Sequence, residues 1–313
     1  MQIHRALNDL PHFKNAVVTI GTFDGVHLGH QQIIAQLKNE AQEVGGETVI
    51  ITFHPHPRKV VREGQAAVPI LTTLPEKIEL LQAKEIDHLV VIPFDEAFSN
   101  QSAPEYIEHF LFEKFHPHTV IIGYDHRFGK GRQGDYHLLE DYGKKLGFVV
   151  KEIPEHVLHH VTISSTRIRE SLLKSDVATA NEFLGHSYFF EGVVVEGNKL
   201  GRTLGYPTAN IEVEDREKLI PGNGVYAVQV SLQKNDEDVL LGGMMNIGLR
   251  PTVDGTKRMI EVNIFDFDED IYEEVLRVYV LSYLRGEVKF RGLDALKNQL
   301  AQDKMDALKI LKH

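Results

Sequence analysis

Apolar positions change their spacing partway along the chain. In the first half they form short runs: Val17-Val18-Thr19-Ile20, Val49 to Phe53, Leu89 to Ile92, Val120 to Ile122 and Phe148 to Val150. Each run is rich in β-branched residues and closes on Gly, Pro or a polar turn, as strands buried on both faces do. Between the runs the spacing is helical. Ile33, Ile34, Leu37, Ala41 and Val44 share one face. Thr73-Leu74-Pro75-Glu76 and Ser102-Ala103-Pro104-Glu105 both have capping-box spacing with an early proline. Tyr142 and Leu146 end a further helix before Gly147. This alternation predicts an α/β domain with a parallel sheet, whose ligand crevice lies at the carboxyl ends of the strands.

From about Tyr188 strands follow strands. Phe189 to Glu196, Gly224 to Leu232, Val239 to Ile247, Met259 to Phe265 and Leu276 to Leu284 all read as extended, with Gly, Asn and Asp between them. That predicts an antiparallel barrel or sandwich. A last helix spans Leu293 to Leu311. The boundary falls near 184–187, which gives domains 1–184 and 185–313.

The length of 313 residues also suggests two domains at ~150 residues each. The chain has no cysteine, which removes disulfides, thiolate metal sites and a cysteine nucleophile. Its net charge is -11, unsuited to a nucleic-acid coat, although a local basic pocket still admits small anions. No apolar stretch is long enough to cross a membrane, and the first residues lack the basic and apolar segments of a signal peptide. A cytoplasmic protein without nucleic-acid or membrane partners is expected, as a monomer or weak homo-oligomer.

In the first half, Gly21-Thr22-Phe23-Asp24-Gly25-Val26-His27-Leu28-Gly29-His30 follows a predicted strand and opens a predicted helix. Two histidines three apart at a helix N-terminus point the same way, where free amides and the helix dipole favour an anion. Ile163-Ser164-Ser165-Thr166-Arg167-Ile168-Arg169 sets hydroxyls and arginines at a second helix start, suited to phosphate oxygens. Taken singly, a glycine-rich turn and a capped Arg-bearing helix are ordinary. In this strand–turn–helix context they favour nucleotide chemistry. Phe53, Tyr124 and Phe128 follow other strands and could sandwich a flat ring. His54 and His56 alternate with Pro55 and Pro57 and have no carboxylate at a ligand spacing, so a shaping role ranks above a metal.

In the second half, the string from Gly197 to Asn210 is a glycine-rich loop entering a strand, without the Gly-Lys-Ser/Thr of a Walker loop. Thr208 and Asn210 are two apart, a hydroxyl and an amide oxygen suited to Mg²⁺, although an ordinary hairpin loop has the same composition. Glu261 alternates with Ile260 and Val262. On a strand such a residue is usually solvated; facing a pocket it is a candidate general base.

The first string resembles the HxGH signature of nucleotidyltransferases, and the two halves together resemble the prokaryotic bifunctional riboflavin kinase/FAD synthetase family. The motifs that carry this are GTFDGVHLGH, FHPHP, GYDHRFGKGRQGD, ISSTRIR, GRTLGYPTANI, PGNGVYAV, MNIGLRPT, IEVNIFDFDEDIY and LRGEVKF. The resemblance implies a Rossmann-like nucleotidyltransferase domain followed by a six-stranded antiparallel β-barrel with a terminal helix. It implies phosphorylation of riboflavin to FMN by ATP in the second domain. It implies adenylylation of FMN to FAD, with pyrophosphate release, in the first. Catalytic roles then fall to His27, His30, Arg167 and Glu261. ATP contacts fall to Gly21, Phe23, Asp24, Gly29, Asp125, Ser164 and Thr166 in one domain, and to Gly197, Gly201, Arg202 and Gly205 in the other. Flavin contacts fall to Phe53, Pro55, Pro57, Tyr124, Phe128 and Arg285, and Mg²⁺ to Thr208 and Asn210.

The chain departs from the family's pattern at His126, usually Phe, at Asn263, often His, and at Glu273, usually Gly. A chain with only one working half, or a flavin-responsive regulator, is the alternative. No core motif residue is missing in either half, which argues against the first, and retention of Glu261 together with the His27/His30 pair argues against the second, since binding alone needs neither.

Overall fold

Six strands, all parallel, build the first half in the spatial order β1-β4-β3-β2-β5-β6. They are β1 (Gln2–His4), β2 (Val17–Ile20), β3 (Thr48–His54), β4 (His88–Pro93), β5 (Thr119–Gly123) and β6 (Val149–Ile153). The computed structural model describes all residues except 62–67, 125, 154–162, 198–199, 235–236, 253–254 and 313. Alternation within the strands divides the core. Val18, Ile20, Val49, Ile51, Val90 and Ile92 pack with Phe110, Phe115 and Leu139 on one face. Val17, Ile50, Leu89 and Val91 pack with Ile34, Leu37 and Leu81 on the other. Both faces are buried, which is why the strand sequences read as unbroken apolar runs.

The helices stop and start where their caps dictate. α1 (Leu28–Val44) ends on left-handed Gly45. α2 (Leu74–Gln82) opens on Thr73 with Glu76 closing the predicted capping box. α3 (Tyr136–Leu146) ends on left-handed Gly147. Ser102 caps its helix in the same way, and the chain then widens into a π-helical turn over Tyr106–Phe112.

Two strand expectations shift. β1, three residues long, pairs with β4 at an edge that the sequence does not announce. The last run starts one residue late: Phe148 is buried in the core, whereas Val149, first in β6, is exposed at the opposite edge.

The chain leaves β2 toward β3 and β4 on one side, then returns to pair β5 on the other. Such a reversal opens a crevice at the carboxyl ends of the strands. The chemistry-bearing strings follow β2, β3 and β5.

The second half is a closed barrel in the order β10-β11-β8-β7-β12-β9. Its strands are β7 (Tyr188–Val195), β8 (Ala209–Glu212), β9 (Gly224–Lys234), β10 (Glu237–Thr252), β11 (Gly255–Ile264) and β12 (Val275–Arg285). The choice between barrel and sandwich is thus resolved. Two helices, α4 (Ser165–Leu173) and α5 (Val177–Leu184), precede it. By compactness the chain divides between Ser165 and Thr166, so α5 and all but the first residue of α4 fall in the same unit as the barrel. Asn181 of α5 explains its side of that division: its amide donates to Val280 O at 2.9 Å and accepts from Tyr188 N at 2.7 Å.

The terminal helix α6 (Leu293–Leu311) has the predicted bounds. Its Ala307 packs on Ala227, Met244 and Phe265 of the barrel wall. Among the described residues no helix is long and apolar enough to cross a membrane.

Candidate active sites

The first site starts from the turn between β2 and α1. Phe23, Gly25 and Val26 all have positive φ, at 47°, 85° and 41°. For a β-branched valine that is a strained conformation, kept because the surroundings over-determine it. The surroundings are Asp24, 1% exposed, whose carboxylate accepts from Leu71 N at 2.9 Å and Thr72 N at 3.0 Å. Asp24 therefore fixes the loop through those amides.

This turn places His27 as the N-cap of α1. Its Nδ1 accepts from His30 N at 3.4 Å, which puts the ring proton on Nε2. The two imidazoles stack with centroids 3.7 Å apart. Phe23 leans on His30 at 4.9 Å, and Gly21 passes beside the Phe23 ring. Among the described residues His30 Nδ1 is sealed from solvent without a hydrogen-bond partner. Burial first, then His27 and Lys77, hold the pKa of His30 well below the ordinary imidazole value.

The second signature arrives at the same place. The Ile163 carbonyl runs beside Gly29, and Ser165 Oγ donates to the Asp24 carbonyl at 3.1 Å. Ser164 is half-buried; Thr166 and Arg167 are exposed on the first turn of α4. Asp125 lies outside the described residues.

Burial distinguishes the three aromatic rings. Phe53 packs against Phe94 at 5.4 Å and Phe98 at 5.7 Å. Phe128 stacks on Tyr106 at 5.1 Å. Both rings belong to the core because the chain supplies several phenylalanines on that face of the sheet. Of the three rings only Tyr124, 37% exposed, is open to solvent, with Pro55 and Pro57 half-buried after β3. His126 sits 5.9 Å from the Phe128 ring. His56 Nδ1 accepts from Arg58 N at 3.2 Å. Among the described residues no group of three or more His, Asp or Glu could hold a metal.

Lys77 escaped the sequence reading. It is a buried lysine on α2 whose ammonium donates to Thr52 Oγ1 at 3.5 Å. Nothing in a polar residue after a capping box marks it as buried.

The second site is written in the barrel's register. Asn210 of β8 lies opposite Glu261 of β11, Glu261 opposite Asn246 of β10, Asn246 opposite Val225 of β9, and Val225 opposite Arg285 of β12. Residues paired across strands project from the same face. All five line one cavity of about 340 Å³, together with Met244, Phe290 and, from α6, Leu296, Leu300 and Asp303. A second cavity of about 400 Å³ is lined by Arg202, Phe267, Asp268, Tyr272 and the other flank of β11, Val262 and Ile264. Thr208 lines both. The predicted alternation thus holds: Glu261 and Asn263 face one cavity, Val262 and Ile264 the other.

Asn210 Oδ1 is buried with no hydrogen-bond partner among the described residues. Gly197 lies so close that a Cβ there would overlap the Asn210 amide, and Gly201 lies as close to the Tyr206 carbonyl. Gly205, with φ 82°, ends the short helix Leu200–Thr203. A buried amide oxygen beside a hydroxyl and a carboxylate is a set of hard donors, which fits Mg²⁺.

The departures are explained in part. Asn263 Nδ2 donates to Pro207 O at 2.6 Å and so ties the loop to β11, a bond that a histidine can also donate. Glu273 has φ 69°, the conformation for which glycine is suited. Arg285 gives its guanidinium to Asp303 of α6, at 2.8 and 2.6 Å, and lies 5.8 Å from the Phe290 ring. Asn246 and Asp303 went unread, because cross-strand and helix–strand partners are set by the fold.

Known proteins match both halves in the same order. A family model described as FAD synthetase matches residues 10–167, and one described as riboflavin kinase matches 184–311. The bifunctional riboflavin kinase/FMN adenylyltransferase of Haemophilus influenzae is 38% identical over 304 residues, 97% of each chain. That of Escherichia coli K12 is 35% identical over 309 residues, 98% of this chain and 97% of its own. A crystal structure described as a macrolide-efflux protein, from Streptococcus pneumoniae, superposes with a TM-score of 0.87 at 30% identity, covering 97% of both chains. The order of the two domain matches and near full-length identity place this chain in the bifunctional riboflavin kinase/FMN adenylyltransferase family.

Proposed function

We propose that residues 185–313 phosphorylate riboflavin and residues 1–184 adenylylate the FMN produced. The row Asn210–Glu261–Asn246 carries this reading, because it sets a carboxylate between hydrogen-bonding amides on the wall of a cavity. Riboflavin occupies that cavity against Met244, Phe290 and Leu300, with its terminal ribityl hydroxyl at Glu261. ATP occupies the second cavity, and its γ-phosphate meets the hydroxyl at Thr208. Glu261 accepts the hydroxyl proton as the oxygen bonds to the γ-phosphorus and the bond to ADP breaks. Thr208 and Asn210 would hold the Mg²⁺ that accompanies ATP and neutralises phosphate charge. Gly197, Gly201, Arg202 and Gly205 shape and charge the loop over it.

In the first domain a phosphate oxygen of FMN attacks the α-phosphorus of ATP and pyrophosphate leaves. His27, through Nε2–H, and His30 donate to phosphate oxygens as charge builds. Gly21, Gly29, Ser164 and Thr166 give ATP close backbone and hydroxyl contacts. Arg167 and Asp125 are carried over from the family motifs. Phe23 and Asp24 act by holding the turn. Tyr124, with Pro55 and Pro57, receives the flavin, and Phe53 and Phe128 back that surface from the core. Arg285 shapes the riboflavin cavity through Asp303. We place the enzyme in the cytoplasm, as a monomer or weak homo-oligomer working on small molecules and not on nucleic acid.

The test is a time course with riboflavin, ATP and Mg²⁺, flavins separated by chromatography. FMN is expected first and FAD later. Glu261→Gln is expected to abolish FMN formation and to spare FAD formation from added FMN; His27→Ala is expected to do the reverse. A Glu261→Gln protein that still forms FMN at the parent rate overturns the kinase assignment.

A further inference from the structure

The first cavity of the barrel has two unlike walls. Met244, Phe290, Leu296 and Leu300 are apolar, whereas Glu261, Asn246 and Glu287 bring polar groups to the same space. Glu261 and Asn246 are placed by the ladder, in which they are paired. Glu287 is not. It follows β12, in the stretch that leads to α6, and it is exposed.

Its carboxylate nevertheless has a defined place. Gly248 lies two residues beyond Asn246 on β10. A Cβ on Gly248 would overlap Glu287 Oε1 and would meet Asn246 Nδ2 at 3.4 Å. The glycine thus leaves room for the carboxylate to settle over the strand on the side of the Asn246 amide. The second oxygen, Oε2, accepts from Asn223 Nδ2 at 3.4 Å. Asn223 stands on an anchored loop: Gly222 N donates to Leu172 O at 2.8 Å, and Asn223 O accepts from Ser175 Oγ at 3.4 Å. Among the described residues, Glu287 Oε1 and the side-chain amide of Asn246 make no hydrogen bond.

An acceptor and a donor therefore flank one space, next in line to Glu261. A hydroxyl satisfies both, because it accepts from the amide and donates to the carboxylate. A hydroxylated chain matches this polar strip, and flat apolar rings match the opposite wall. Riboflavin carries both parts. We propose that Glu287 and Asn246 are specificity-determining residues of riboflavin phosphorylation: they hold the secondary hydroxyls of the ribityl chain and so bring its terminal hydroxyl to Glu261. Gly248 keeps the space open. This rests on the assignment of the cavity to riboflavin and of Glu261 to its terminal hydroxyl, which Glu261→Gln tests by itself.

The experiment uses the full chain, ATP and two acceptors. One is riboflavin; the other is an analogue with the same rings and chain length that keeps only the terminal hydroxyl. Phosphorylated product is followed by chromatography for each. The parent is expected to favour riboflavin in kcat/KM by about tenfold or more, as sites built to hydrogen-bond a hydroxyl do. Glu287→Met and Asn246→Ala are each expected to lower kcat/KM for riboflavin about tenfold and to leave the analogue within about twofold, so that the preference collapses. Gly248→Ala, whose methyl group meets only the tips of two side chains, is expected to lower the preference in the same direction. A parent that uses both acceptors equally overturns the proposal. So do variants that slow both acceptors by the same factor, or neither. If Asn246→Ala fails to fold its domain, the exposed Glu287 decides through Glu287→Met, read on the same ratio. Failure of Glu261→Gln to abolish riboflavin phosphorylation removes the underlying assignment instead.

Discussion

Gly197 and Asn210 approach so closely that no side chain fits between them. The glycine lies outside the barrel ladder, yet it sets the position of an amide oxygen that has no hydrogen-bond partner among the described residues. Gly197→Ala is therefore expected to displace the Asn210 amide. Riboflavin kinase kcat/KM should fall about tenfold, equivalent to about 1.4 kcal/mol, with a rise in the Mg²⁺ needed for half-maximal rate. FAD formation from added FMN should not change. Steady-state kinetics over a Mg²⁺ series check this.

The Arg285–Asp303 pair ties β12 to α6. Asp303 is 2% exposed and also accepts from Gln299 Nε2 at 2.9 Å. Asp303→Leu leaves the guanidinium without its carboxylate, and breaking such a pair costs about 3 kcal/mol. The barrel domain should lose that much stability in urea, and the KM for riboflavin should rise more than kcat falls, since Leu296, Leu300 and Asp303 of α6 line the cavity proposed for riboflavin.

Glu273 is exposed, with its backbone in the left-handed region and its amide donating to Val194 O at 2.9 Å. Glu273→Gly keeps that bond and removes the penalty on the Cβ. A gain of about 1 kcal/mol in barrel stability is expected, with unchanged kinase rates. Denaturant titration against the parent reads it.

The depressed pKa of Lys77 gives stability a direction with pH. The folded value is about 8 against an ordinary 10.5, so the unfolded chain binds this proton more tightly. Its penalty is in full force below pH 8 and fades as the pH rises toward 10.5. Over that window the parent should gain up to about 3 kcal/mol relative to Lys77→Met, because each tenfold difference in proton affinity between the two states is worth about 1.4 kcal/mol. Paired urea melts followed by circular dichroism, at pH 7 and pH 10, measure the difference between the two proteins and so cancel the titration of other groups.

Much of this molecule could be read before it was folded. Runs such as Val49 to Phe53 have one preferred environment, and Thr73 with Glu76, or Gly147 after Leu146, leave little choice about where a helix begins or ends. The motif strings at His27, Ser165 and Thr208 are local, and the structure brings the first two together as their order suggests. Where the reading fell short, the deciding partner is distant in sequence. Gln2–His4 is too short and too polar to show as a strand until β4 is beside it. The ring neighbours of Phe53 and Phe128, namely Phe94, Phe98 and Tyr106, come from other parts of the chain and are not visible in their own motifs. Lys77 looks like any solvated helix lysine until the fold buries it beside Thr52.

The row from Asn210 through Glu261, Asn246 and Val225 to Arg285 crosses five of the six barrel strands. Because the ring is closed, no strand can slide without its neighbours, and a slip by one residue would turn Glu261 to the opposite side of the wall. Lineages that inherit this site are therefore free to lengthen or shorten the hairpin connections, but insertions and deletions inside β10 and β11 should be purged. A library of single-codon deletions along those two strands, selected for growth without added FMN, would trace the ladder as a continuous band of lethal positions bounded by tolerant turns.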